Sequence, residues 1–326
     1  MNFVGRAEII ESIQSRVAMG QMSLCVVYGP HRSGKSYVAS QLVRRHKALY
    51  LAGRIANEAI HVADMNRALE ARFVPNDEQS KFEPITSLQE AFEGLFEDSV
   101  KTPQTVVIDD YPSLVEAVPQ FPIYFRDLLD AYKETSHLNI ILMANGLEQL
   151  DGRIIGERSL IGPYVSEYFE VKPFSLVDMK SLGLHYAKDD LRTVFAVTGG
   201  LPAYVQYFDN GESIDTNIIN LFFSVSGALF EETQHILHRD MKNITGANAI
   251  LSGLATLERP YYVELLQASQ IKSGTFTSRL NDLMAMGLVG RIQANSRGPA
   301  KYADYHFTNS MFHFWYRYVY KYWGDI

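Results

Sequence analysis

Apolar positions fall into two rhythms along the first half of the chain. Short apolar runs at 24–28, 48–52 and 139–144, the run within 105–110, and an alternating stretch at 167–171 have the length and composition of strands. Between them, apolar residues recur at helical spacing: Ile9, Ile10, Ile13 and Val17, then Val38, Leu42 and Val43, then Leu88, Ala91, Phe92, Leu95 and Phe96. A polar helical stretch, 57–72, is ended by Pro75, a charged loop spans 75–84, and a further helix covers 123–137. Strands alternating with helices over short connections predict an α/β fold, with a parallel sheet covered on both faces, up to about residue 173.

Beyond residue 175 the pattern turns helical. One helix is expected at 189–198, closed by Gly199 and Gly200, a second begins at Leu201-Pro202, and a helical region covers 215–243. Residues 247–308 read as a winged helix-turn-helix. Ala249, Ile250, Leu254 and Leu257 mark a first helix, 260–268 a second, and Ser273 caps a third with Phe276, Leu280, Leu283 and Met284 on its buried side. Gly287 stops that helix, and strands at 288–293 and 302–308 form the wing. The segment 312–323 is dense in aromatic residues, which is more characteristic of a packing surface than of a nucleic-acid stacking platform. The expected organisation is an α/β domain at 1–173, a helical lid at 174–243, a winged helix at 244–308 and an aromatic segment at 309–326.

Composition narrows this further. The chain has 326 residues, 47% hydrophobic and 21% charged, which is ordinary for a globular protein. Its one cysteine, Cys25, lies inside a predicted strand, which argues against disulfides and for a reducing compartment. No apolar run reaches the ~18 residues of a membrane span, and the first residues lack a signal-peptide pattern, so a cytoplasmic protein with no membrane partner is expected. Net charge is −7 but unevenly spread, with nine Lys/Arg against five Asp/Glu in residues 241–326, net +4, and net −11 in the rest. The C-terminal part is therefore the one region able to face a polyanion.

The chemistry concentrates at the end of the first strand. Gly29-Pro30-His31-Arg32-Ser33-Gly34-Lys35-Ser36 fits G-x-x-x-x-G-K-[ST] without mismatch and is followed by Tyr37 and an amphipathic helix. Its glycines let backbone N–H groups turn inward as a phosphate nest, and the helix start adds the positive end of its dipole. Lys35 is expected to reach the β- and γ-phosphates of ATP, and the Ser36 hydroxyl to coordinate Mg²⁺. The run 105–110 ends in two acids. Asp109 is expected to hold Mg²⁺ through its water shell and Asp110 to act as general base on the attacking water, against the alternative that the pair merely caps a helix. Asn145, at the tip of the next strand, either orients that water or opens an Asn-Gly turn.

Taken together, Phe3-Val4-Gly5-Arg6 with Glu8, the phosphate loop, Val107-Ile108-Asp109-Asp110, Lys172-Pro173-Phe174, Gly199-Gly200-Leu201-Pro202-Ala203-Tyr204 and the winged helix resemble the archaeal-type ATPase family, a branch of the AAA/STAND P-loop ATPases. The resemblance covers nearly the whole chain and implies that Val4, Gly5, Arg6 and Pro202 flank the adenine. Two departures stand out. The family usually carries Asp-Glu where this chain has Asp109-Asp110, and Leu160-Ile161-Gly162-Pro163 lacks the arginine of the family's Leu-Tyr-Gly-Arg-like element. Arg153 and Arg158 are its nearest substitutes. Many relatives continue into a nuclease-like domain, and none is expected within residues 1–326.

The expected function is an ATP-driven conformational switch or motor in which ATP clamps the α/β domain to the lid. Turnover is expected to be slow, or completed by a protein partner or a second copy. The alternative is a DNA-binding regulator that uses ATP as a ligand. In the third winged-helix segment Thr275, Ser278, Arg279 and Asp282 face outward, with Lys272, Arg291, Arg297 and Lys301 around them as phosphate contacts for duplex DNA.

Overall fold

All five predicted strands form in the computed structural model, which describes residues 6–73, 81–145, 159–241, 243–292 and 303–325. They are β1 (Ser23–Tyr28), β2 (Leu49–Ala52), β3 (Gln104–Asp109), β4 (Leu138–Ala144) and β5 (Val165–Glu170). Every pairing is parallel, in the order β2-β3-β4-β1-β5. Alternate side chains divide between two cores. Leu24 and Val26, Val106 and Ile108, and Ile140 and Leu142 pack on one face; Cys25 and Val27, Val107, and Ile141 and Met143 pack on the other. Burial on both faces is why these strands read as continuous apolar runs.

Two helices, α1 (Ala7–Ala18) and α2 (Lys35–His46), cover the Cys25 face through Ile10, Ile13, Val38 and Leu42. The opposite face is covered by α3 (Glu58–Glu70), α4 (Leu88–Lys101), α5 (Tyr111–Ala117) and α6 (Phe121–Tyr132). Cys25 is 1% exposed, and burial, followed by the nearby Glu167 carboxylate, pushes its thiol up to about 11. It packs as a small apolar residue, as its place in the strand predicted.

Two differences from the periodicity are instructive. The helix read as 123–137 stops at Tyr132, because the His137 N–H donates to Ser99 O at the end of α4 and the Ser136 and Ser99 hydroxyls pair at 2.7 Å. The backbone there turns the chain into β4 instead of continuing the helix. The seven-residue α5, with proline in its first turn, is too short to give a readable period.

The structure divides into two compact units, Gly5–Lys172 and Pro173–Ile326. The second unit holds α7 (Leu176–Ser181), α8 (Lys188–Thr198), α9 (Pro202–Val205), α10 (Ile214–Phe222), α11 (Glu232–Asp240), α12 (Thr245–Thr256), α13 (Tyr262–Ser269) and α14 (Ser273–Ala285). An antiparallel pair, β6 (Val289–Ile292) with β7 (Asp304–Phe307), follows, then α15 (Ser310–Phe314) and a π-helical turn, Trp315–Val319. Ser273 was expected as the cap of its helix. It is instead the first helical residue, with Lys272 in the cap position and no side-chain cap bond.

One hydrophobic core runs through this unit from Phe174 to Val319, so the segments read as lid, winged helix and aromatic end share an interior. Trp315 is fully buried and donates its indole N–H to Phe230 O at 2.7 Å. Gln234, on α11, and Asn248, on α12, exchange reciprocal amide bonds, and the Tyr316 hydroxyl donates to Asn248 Oδ1 at 2.5 Å. Most of the aromatic end is thus committed to packing within its own unit. No helix among the described residues is long and apolar enough to cross a membrane.

Both tryptophans of the chain, Trp315 and Trp323, lie in the second unit with ring centroids 4.9 Å apart. Replacing Trp315 by Phe leaves the Phe230 carbonyl unpaired and a cavity beside it, and is expected to destabilise the unit by about 2–4 kcal/mol. Trp323 fluorescence during urea unfolding reads this directly. An unchanged midpoint would show that the indole contact contributes nothing.

Candidate nucleotide site

Between β1 and α2 the chain makes three left-handed or otherwise glycine-favoring turns. Gly29 has φ 153°, Arg32 φ 66° and Gly34 φ 101°. A Cβ on Gly29 would stand 2.4 Å from Val171 O, and the Val171 N–H donates to Tyr28 O at 2.7 Å. The loop is therefore pressed against the end of β5 with no room for a side chain at its first residue. Gly34 caps α2, so Lys35 and Ser36 open that helix, where the first N–H groups lack intrahelical acceptors and face an anion favourably.

The Lys35 side chain curls back over this loop. It is 7% exposed and its ammonium donates to Gly29 O at 2.8 Å and Pro30 O at 2.9 Å. Ser33 is fully buried, and its Oγ has no hydrogen-bond partner among the described residues. Arg6 is also buried and donates to Ser33 O at 2.7 Å and to Lys172 O at 2.6 Å. His31 and Tyr37 are half-buried, whereas Arg32 and Ser36 are exposed.

The acids lie at the same edge of the sheet. Asp109 is the last residue of β3, and Asp110, with φ 48°, leads into α5. Asp109 accepts the Tyr50 hydroxyl on Oδ2 at 2.8 Å and the Asp110 N–H on Oδ1 at 3.0 Å. Burial, reinforced by the Asp109 carboxylate, holds the Tyr50 phenol well above its ordinary range, so it remains a donor. The Asp110 side chain makes no capping bond to the helix backbone; its Oδ2 accepts the Ser113 hydroxyl at 2.8 Å. Gly53 N donates to Asp109 O at 2.7 Å, and a Cβ on Gly53 would fall 2.2 Å from Asp110 O.

Asn145 directly follows β4 and is half-buried. Because β4 lies between β1 and β3, with Tyr28 opposite Ala144 and Ile108 opposite Leu142, Asn145 falls between the phosphate loop and the acid pair. Strand spacing puts the tips of β1 and β3 ~10 Å apart. Lys35, Ser36, Asp109, Asp110 and Asn145 thus converge on one edge of one sheet. Pro202 begins α9 in the other unit and is buried there. Val4, Gly5, Arg153, Arg158, Arg297 and Lys301 lie outside the described residues.

This donor set fits a nucleoside triphosphate with Mg²⁺. The loop offers a cradle that a Cβ at Gly29 would fill, a buried cation and a buried unpaired hydroxyl. Ser36 and Asp109 supply the hard oxygen donors Mg²⁺ prefers. Among the described residues no group of three or more His, Cys, Asp or Glu side chains is placed to hold a metal ion by itself.

Tyr50, Gly53 and the Val171 carbonyl were not singled out in the sequence. For Tyr50 a signal existed: in Leu49-Tyr50-Leu51 the leucines take one face, leaving a polar-tipped residue on the face that carries Asp109.

Comparisons with known proteins bear on the fold and the family. A Walker-type ATPase of Pyrococcus abyssi shares the fold, with a TM-score of 0.70 over 96% of this chain and 95% of its own at 16% identity. A STAND protein of Pyrococcus horikoshii with a tetratricopeptide repeat sensor aligns more loosely, with a TM-score of 0.43 and 18% identity over 97% of this chain and 42% of its own. An uncharacterized protein of Methanocaldococcus jannaschii is 19% identical over 204 residues, 63% of this chain and 43% of its own length. The chain therefore spans less than half the length of the curated relative it matches. Residues 3–208 match a family described as an ATPase domain predominantly from Archaea, and the chain belongs to that family.

Proposed function

We propose that this ATPase-family chain binds ATP with Mg²⁺ at the loop 29–36, hydrolyses it slowly, and uses the exchange of ATP for ADP as a conformational switch or motor. The observation that carries this reading is the convergence of Lys35, Ser36, Asp109, Asp110 and Asn145 at one sheet edge. The backbone N–H groups of the loop and the start of α2 bind phosphate oxygens. Lys35 exchanges its two carbonyl acceptors for the β- and γ-phosphates. Ser36 and Asp109 hold the metal, which when bound neutralises charge on those phosphates. Asp110 accepts the proton of the attacking water, and Asn145 orients that water. The aspartate is one methylene shorter than the glutamate usual in the family, which favours slow turnover, and an arginine from a neighbouring copy or protein partner is the natural accelerator.

A second reading rests on α12–α14 followed by the β6–β7 pair, an arrangement that fits a winged helix on duplex DNA. Lys272 precedes α14, and Arg291 is exposed on β6. Arg279, the strongest base reader on α14, is held by Asp282 at 2.7 Å, which weakens this reading.

Lys35→Ala is expected to lower ATP affinity roughly 10- to 150-fold, the loss of a charge-assisted hydrogen bond. Isothermal titration giving the parent affinity would remove Lys35 from the phosphate site. Asp110→Asn keeps a residue that tolerates positive φ while removing the proton acceptor. It is expected to retain Mg²⁺-ATP and lose turnover, and hydrolysis at the parent rate would reduce Asp110 to a structural role.

For the DNA reading, replacing Lys272, Arg291, Arg297 and Lys301 by Ala should flatten the salt dependence of duplex affinity, each phosphate contact being worth about 0.9 in the slope. Fluorescence anisotropy with a short duplex at two salt concentrations, with ATP and with ADP, is the measurement. Absence of binding at low salt in both states would leave this region as a protein contact.

A further inference from the structure

Tyr50 is the second residue of β2, an edge strand of the sheet among the described residues, and its hydroxyl is spent on Asp109. The strand fixes where that hydroxyl goes. Tyr50 pairs with Val107, Leu51 with Ile108 and Ala52 with Asp109, and Gly53 N closes onto Asp109 O. Asp109 lies two residues beyond Val107, so its side chain shares a face with that of Tyr50. The phenol crosses diagonally between neighbouring strands to reach the carboxylate. The close approach at Gly53, where a Cβ would fall 2.2 Å from Asp110 O, keeps β2 from sliding along β3.

The carboxylate is thereby held at both oxygens, Oδ2 by the phenol and Oδ1 by the Asp110 N–H. A carboxylate offers about four lone-pair directions, so two bonds leave about two for metal-bound water. The Tyr50 bond is therefore compatible with an occupied metal site and fixes the rotamer from which Asp109 meets it.

We propose that Tyr50 is a positioning residue for the metal side of the nucleotide site, acting through Asp109 to lower the Mg²⁺ concentration the site requires. The proposal rests on the reading of Asp109 as the metal-side acid. Tyr50→Phe keeps the half-exposed ring and removes only the donor. Loss of one hydrogen bond to a charged group, discounted for exposure, predicts a roughly 3- to 30-fold rise in the Mg²⁺ concentration needed for half-maximal tightening of nucleotide binding.

The probe is a fluorescent non-hydrolysable ATP analogue, followed by anisotropy as Mg²⁺ is titrated into parent, Tyr50→Phe, Asp109→Asn and the double variant, so that no turnover enters the readout. The expected result is a raised Mg²⁺ requirement in both single variants, with no further rise when Tyr50→Phe is added to Asp109→Asn. In hydrolysis, the Mg²⁺ half-saturation of Tyr50→Phe should rise more than kcat falls. A parent-like Mg²⁺ requirement in Tyr50→Phe, with Asp109→Asn impaired, overturns the role of Tyr50 and leaves the reading of Asp109 standing. Additive effects in the double variant overturn action through Asp109. A parent-like requirement in Asp109→Asn removes the metal reading itself, and the role of Tyr50 with it.

Discussion

A sheet buried on both faces confines polar chemistry to its ends. Val26, Ile108 and Leu142 point into one core and Val27, Val107 and Ile141 into the other, so the middles of β1, β3 and β4 are given to packing, whereas Tyr50, on the edge strand β2, reaches Asp109 with its hydroxyl. Parallel pairing then puts all the strand tips that matter on one edge. Strand order sets the spacing there: β1 carries the phosphate loop, β3 the acids, and β4 intervenes with Asn145. A two-strand separation leaves a span of ~10 Å, enough for phosphate, metal and water to lie between loop and acid.

The loop at that edge is braced from behind. Arg6 spans Ser33 O and Lys172 O, and Val171 closes on Gly29 so tightly that only a glycine fits. A buried guanidinium is costly unless its donors are satisfied, so these carbonyls stabilise Arg6 as much as Arg6 fixes the loop. Its bonding joins the segment before α1 to the last residue of the first unit. Lys35 follows the same logic: a nearly buried ammonium needs acceptors, and Gly29 O and Pro30 O supply them.

Much of this was legible in the sequence because the signals were local. Gly29, Gly34, Lys35 and Ser36 are fixed by spacing within eight residues, and the apolar runs declare the strands. What could not be read was lateral. That β4 separates β1 from β3 depends on the three-dimensional order of strands, so Asn145 was as plausible a turn as a water ligand. The bond of Tyr50 to Asp109 spans 59 residues, and that of Arg6 to Lys172 spans 166. No window of local pattern contains either pair. The shared core of Phe174 to Val319 escaped for the same reason, since helix periodicity shows which face of a helix is buried but not what it is buried against.

The aspartate at position 110 has a local explanation that its comparison with the family's glutamate lacks. Gly53 packs against the Asp109-Asp110 peptide, and the chain must then turn at once into α5, whose first residues include Pro112. The residue at the turn adopts φ 48° and ψ 52°. In that left-handed region aspartate and asparagine are enriched because their short side chains bond locally, whereas longer side chains gain no such compensation. Asp110 uses that allowance, accepting the Ser113 hydroxyl. The shorter acid therefore suits the backbone of this turn, and on the proposed reading of Asp110 as general base the same turn sets how far its carboxylate reaches.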